Sequence, residues 1–218
     1  MRRLICLFIA LVVPSAAHAQ SAADTASAAA PSSAVFAYLQ LGDTIAFEAV
    51  RSDTAMVRGA YIIPGQIRLS WDQLLTKGAP SSLTIGVFPP NAPAEFRPVS
   101  ETDFATRDDS IVVTSYANGK TTSDTRPTVA GALPVLGRSM IHLSYLAFYA
   151  AQLRMRTVPL YLTSSGKTVN AQVEVFGERV TLLVEGLRID ALWDDGALVE
   201  VHVPSQQLVV RRVMLLPQ

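Results

Sequence analysis

From Gln66 to Trp71 the chain alternates strictly, with Ile67, Leu69 and Trp71 on one side and Gln66, Arg68 and Ser70 on the other. A period of two describes a half-buried β-strand. Thr44 to Arg51 alternates through Ile45, Phe47 and Ala49, and Ser82 to Phe88 through Leu83, Ile85 and Val87, so these apolar side chains are expected to face the core. After Ser110 the run Ile-Val-Val-Thr-Ser-Tyr leads into Asn118-Gly119, a dipeptide that tolerates positive φ and so predicts a tight hairpin. Near the C-terminus Val169, Ala171, Val173 and Val175 alternate before Gly177, then Val180, Leu182 and Val184 before Gly186, then Leu187, Ile189, Ala191 and Trp193. Asp194-Asp195-Gly196 predicts a turn, Val199, Val201 and Val203 a returning strand ended by Pro204, and Leu208 to Leu216 a last strand: a meander of about five strands.

One segment, residues 139–155, lacks the period of two. It follows a Gly- and Pro-punctuated stretch from Gly131 to Gly137, and Ser139 is placed to cap a helix. At 100° per residue Ser144, Ala147 and Ala151 form a narrow face flanked by Ile141, Phe148 and Met155 on one side and by Leu143, Leu146 and Leu153 on the other. A helix apolar nearly all round must be enclosed on several sides. The pattern therefore predicts a mainly β fold: a curved antiparallel half-barrel of about ten strands wrapping one central apolar helix. Turn signals recur without a second low-complexity break, so residues 36–218 read as one domain.

The N-terminus has Arg2 and Arg3, an apolar run from Leu4 to Val13 and small residues up to Ala19. This is the layout of a signal peptide over residues 1–19, cleaved near Ala19. Its run of about ten residues spans roughly 15 Å as a helix, half of a roughly 30 Å bilayer core. An Ala- and Ser-rich tether follows over residues 20–35. These features predict a periplasmic or secreted protein that is not integral to the membrane once processed. Losing Arg2, Arg3 and Cys6 removes the single cysteine and lowers the basic residues from 18 to 16 against 18 acidic ones. A near-neutral chain without disulfides must be held by its core, and it lacks the basic surface that nucleic acid requires.

The candidate chemistry is sparse. His142 and His202 are too few for a multi-histidine metal site, and no metal or cofactor is expected. Asp194-Asp195-Gly196 lacks the later acid of a calcium loop. Gly137-Arg138-Ser139-Met140-Ile141 has Ile141 where a nucleophile elbow needs a second glycine, so Ser139 reads as a cap and no catalytic residue is assigned. His202 alternates with Glu200 and Leu198, opposite Val199, Val201 and Val203, on an expected solvated face. His142, Tyr145, Tyr149 and Gln152 share an arc of about 80° on the helix, with Leu146 beside them. Two readings of that arc stand: a ligand-lining face at the mouth of a cleft, or the helix's solvent-facing edge.

An exported chain with early strands, one apolar helix after a Pro/Gly hinge and a final meander resembles the half-barrel proteins around the lipoprotein carriers LolA and LolB, over roughly residues 36–213. The closest local piece is Ile189-Asp190-Ala191-Leu192-Trp193-Asp194-Asp195-Gly196-Ala197-Leu198-Val199. The resemblance implies a cavity able to take an apolar ligand, but transfers no functional residue, and this chain lacks the lipidation cysteine of the LolB pattern. The leading expectation is a non-enzymatic binding or carrier module for an apolar or lipid-like ligand. A structural or interaction protein of the cell envelope, with an envelope protein as partner, is the alternative, and a hydrolase built on Ser139 and His142 comes third.

Overall fold

The computed structural model describes residues 32–93 and 96–215. The expected signal peptide and residues 20–31 of the tether lie outside the described residues. Eight strands follow one another as antiparallel neighbours: β1 (Ser32–Gln40), β2 (Asp43–Ser52), β3 (Met56–Ile63), β4 (Ile67–Thr76), β5 (Ala79–Phe88), β6 (Ser100–Arg107), β7 (Ser110–Ala117) and β8 (Lys120–Pro127). The short β9 (Leu133–Val135) leads into α1 (Met140–Gln152). Six more strands follow, β10 (Thr157–Leu162), β11 (Lys167–Phe176), β12 (Arg179–Val184), β13 (Leu187–Asp194), β14 (Ala197–Val203) and β15 (Leu208–Leu215). All belong to one sheet of 15 strands, in which β15 returns to pair antiparallel with β1 and β9 runs parallel to β10. The expected mainly β fold with a curved sheet and a helix is present, but the described residues form 15 strands rather than the expected ten or so, and β1 begins at Ser32 rather than Phe36.

Hairpin chemistry sets much of this order. Asn118 and Gly119 have φ of 52° and 74° between the paired Ala117 and Lys120, and Asp195 and Gly196 have 48° and 75° between Asp194 and Ala197. Two consecutive positive φ values match the twist of the flanking strands, which explains why both turns take a glycine in second place. Pro204 ends β14 as expected and opens a single 3-10 turn, Pro204–Gln206.

The end strands β8 and β9 do not pair, so backbone hydrogen bonds do not close the sheet into a barrel. It overlaps itself instead. Tyr161 on β10 is buried although its neighbours Leu160 and Leu162 point the other way. Its ring lies 6.3 Å from Phe104 of β6, and its hydroxyl accepts from Arg126 Nη1 of β8 at 3.2 Å. Thr106 Oγ1 of β6 donates to the carbonyl of Ala132 at 3.2 Å. Side chains of β6 and β8 thus cover the far edge of the sheet.

Inside the trough lies α1. Ser139 caps it, its Oγ accepting from the His142 amide at 2.9 Å, and Met140 to Ala147, Tyr149 and Ala150 are buried. The helix touches β11, β12, β13 and β14 on one side and β5 on the other, so its enclosure follows from its all-round apolar sequence. Among the described residues no helix is long and apolar enough to cross a membrane.

Two strand faces differ from the alternation reading. In β2, Ile45 and Phe47 are each 39% exposed, whereas Ala46, Glu48, Val50 and Ser52 point inward. An inward carboxylate inverted the pattern, because one residue of register exchanges the two faces. In β14, Leu198 is buried instead of sharing the solvated face with Glu200 and His202. The pairing steps from Leu192–Glu200 to Trp193–Leu198, so Val199 is the extra residue of a bulge and Leu198 joins Val201 on the inner side. His202 is exposed as expected and bonds Glu200.

Gly59 on β3 faces Trp71 on β4, and a Cβ there would lie 2.3 Å from the indole. The wholly buried ring has no slack in which to move. Gly59→Ala is therefore expected to lower unfolding stability by about 2 kcal/mol or more through overpacking, read as a reduced urea midpoint with unchanged slope. An unaltered midpoint would show that the indole can shift.

Candidate functional site

Two neighbouring features dominate the interior at the N-terminal end of α1: a buried polar network and an apolar cleft. The network centres on Glu48, which is 0% exposed. Trp71 Nε1 donates to Glu48 Oε1 at 2.5 Å, Ser139 Oγ donates to the same oxygen at 2.7 Å, and the Tyr38 hydroxyl bonds Oε2. Tyr38 in turn accepts the Met140 amide at 3.1 Å, just as Ser139 accepts that of His142. Both hydroxyls accept from the first turn of the helix, which commits their own protons to Glu48. The carboxylate therefore receives three donors and stands at the positive end of the helix dipole, without a bonded cation among the described residues.

A second branch runs through His142. Its Nδ1 accepts the Leu136 amide at 3.1 Å, which leaves Nε2 to carry the proton and donate to Gln73 Oε1 at 3.0 Å. Gln73 Nε2 donates to the Ser82 carbonyl at 2.8 Å, and the imidazole lies 4.6 Å from the Trp71 ring. With both ring nitrogens engaged and the Ser139 proton directed to Glu48, Ser139 and His142 do not form a nucleophile–base pair. Among the described residues no group of three or more His, Cys, Asp or Glu is arranged to hold a metal ion.

Burial pushes the Glu48 carboxyl up from 4.5 to about 6, against the lowering effect of the bonds from Tyr38, Ser139 and Trp71. Burial also pushes His142 down from 6.5 to about 3, so it is neutral.

The helix arc expected to bear a ligand is interior along most of its length. His142, Tyr145, Leu146 and Tyr149 are all buried, and Gln152 is half-buried at the helix's last residue. Tyr145 meets Trp193 edge-on at 5.2 Å, and Phe148 stacks on the same indole at 4.1 Å. The arc is thus not a solvent-facing edge, because the sheet curls around the helix on that side too.

The cleft lies instead beyond the helix's first turn, where a space of about 820 Å³ opens between the two halves of the sheet. Ile67, Leu69, Ile85, Val87 and Phe104 form one wall, Leu162, Val184 and Leu187 the other, and Leu136 and Leu143 the floor. Five of these aliphatic side chains, Ile67, Ile85, Val87, Leu162 and Leu187, are only partly buried. The polar lining includes Arg138, Glu185, Thr102, Thr163, Ser164 and Gln206. None of the five helix residues named from the sequence lines the cleft. Residues 67, 69, 85 and 87 belonged to faces legible as inward, but nothing in the alternation marks an inward face that stays uncovered.

Two outcomes follow for the network. Glu48→Leu strips the acceptor from three buried donors and is expected to cost about 3–5 kcal/mol, measured by urea unfolding at pH 7. The second concerns pH. A folded value near 6 against 4.5 unfolded means that the Glu48 contribution is complete below 4.5 and drains away as pH rises through 6, a change of ~2 kcal/mol. His142 has the opposite sign, its contribution being present above 6.5 and lost as pH falls toward 3. Comparing the protein with Glu48→Gln cancels the histidine. The stability difference should move in favour of the unmutated protein by ~2 kcal/mol from pH 7 to pH 4.5, and a pH-independent difference would contradict the raised carboxyl.

No protein-family model matches this chain, and no curated protein matches it in sequence. Among solved structures it is similar to a β-barrel-like protein of a domain of unknown function, DUF1849, from Brucella abortus, at 12% identity and a TM-score of 0.44, over 85% of this chain and 95% of that one.

Proposed function

We propose that this protein is an exported, non-enzymatic binding or carrier module that holds an apolar or lipid-like ligand in the cleft beyond the N-terminal end of α1. The observation that carries the reading is the set of partly exposed aliphatic side chains, Ile67, Ile85, Val87, Leu162 and Leu187, converging on one space of about 820 Å³. That volume falls within the roughly 300–1,000 Å³ of small-molecule sites, and apolar walls with a few polar groups are the usual lining of such sites. Apolar surface left in water costs about 25 cal/mol per Å², so a ligand that covers these walls gains what the fold leaves unclaimed. Export rests on the N-terminal pattern Arg2-Arg3, Leu4 to Val13 and Ala17-His18-Ala19.

The envelope-interaction reading has its own support. Ile45 and Phe47 on the outer face of β2, Val213 and Met214 on β15, and Leu41 in the turn after β1 are exposed apolar side chains on adjoining elements of the sheet. The two readings separate experimentally. Thermal unfolding against fatty acids, phospholipids and lipopeptides should show a ligand worth about 2.7 kcal/mol at a hundredfold excess over its Kd. Val87→Asp or Leu187→Asp should abolish that shift, with a small change in the unliganded melting temperature because both side chains are partly exposed. A stabilisation that survives both substitutions would remove the cleft as the site.

A further inference from the structure

We infer that the ligand of the cleft is an amphiphile with an acidic head group, its chain on the aliphatic walls and its carboxylate or phosphate against Arg138; this rests on the cleft reading proposed above. Arg138 lines the cleft, is exposed, and makes no hydrogen bond or ion pair among the described residues. Its charge is not consumed by the buried network. The environment of Glu48 is set by burial and by Tyr38, Ser139 and Trp71. What places the guanidinium is the cleft itself, which Arg138 lines together with its chain neighbours Leu136 and Gly137. A guanidinium at the lip of an apolar space offers an anion paired donors.

The backbone under Arg138 is also well fixed. The next residue, Ser139, caps the helix and bonds Glu48, and the Ser139 amide donates to the Leu136 carbonyl at 3.0 Å. The amides of Met140 and His142 already serve Tyr38 and Ser139, so the helix end leaves Arg138 as the anion ligand here. Glu185 also lines the cleft, exposed like Arg138, in the turn Glu185-Gly186 between β12 and β13. It suits a hydroxyl on the same head group.

The test is a fluorescence titration of the protein and of Arg138→Gln with cis-parinaric acid and with its uncharged methyl ester. Because Arg138 is exposed, the variant should keep its melting temperature. It should bind the acid about tenfold more weakly, the loss of one charge-assisted contact at a half-open site, and bind the ester unchanged. Dodecyl phosphate should displace the acid, whereas millimolar inorganic phosphate should not. Equal affinities for the acid before and after the substitution, or an equal loss for acid and ester, would overturn the head-group assignment while leaving the cleft as an apolar site. Displacement by inorganic phosphate would also overturn it, making the lip an anion site that needs no chain. Failure of the unmutated protein to bind either probe would overturn both this inference and the cleft reading.

Discussion

Glu48 holds the interior together because a buried carboxylate with no bonded cation among the described residues tolerates few arrangements around it. Its partners come from three separate places in the chain: Tyr38 on β1, Trp71 on β4 and the cap residue Ser139. Two of them also accept amides from the first turn of α1, so the helix cannot slide along the trough without breaking bonds to both hydroxyls. Gly59 belongs to the same constraint, since only a residue without a Cβ leaves room for the indole that reaches Glu48. An apolar set of similar volume would match much of this stability, but the polar set admits one seat for the helix. That seat fixes Leu136, Gly137 and Arg138, and with them one side of the cleft.

The same constraint explains where the sequence misleads. Alternation through Ile67, Leu69 and Trp71 and through Leu83, Ile85 and Val87 identifies inner faces correctly, and the helix with its Ser139 cap lies where its aperiodic apolar run places it. In β2 the larger apolar side chains point out and Glu48 points in, a reversal invisible without knowing that three donors wait inside. The strands β6 and β8 are hard to see for another reason. Ser-Glu-Thr-Asp-Phe-Ala-Thr-Arg and Lys-Thr-Thr-Ser-Asp-Thr-Arg-Pro carry few or no large apolar residues, because β8 is a solvated edge and β6 lies near it. Lysine and proline at such an edge also discourage pairing with another chain.

The site was legible in pieces rather than as a site. His142 stood out because histidines are rare in this chain, yet its two nitrogens serve the Leu136 amide and Gln73 inside the fold. The tyrosines on its arc, Tyr145 and Tyr149, are packing elements around Trp193 and Phe148. The cleft walls are ordinary strand residues. Only their arrangement across β4, β5, β6, β10, β12 and β13 makes them a surface, and that depends on how far the sheet rolls.

α1, of 13 residues and about 20 Å, leaves space at both of its ends. Beyond the C-terminal end a recess of about 780 Å³ is lined by Arg154, Arg156, Gln172 and Glu174 beside Met155, Val173, Val175 and Phe176. Water can hydrogen-bond to walls of that kind. Beyond the N-terminal end the walls are mostly Ile, Leu, Val and Phe, against which water gains little. Because the Glu48 network seats the first turn of the helix, that unfilled length cannot be closed by sliding the helix forward. The polar anchor thus keeps an apolar space open.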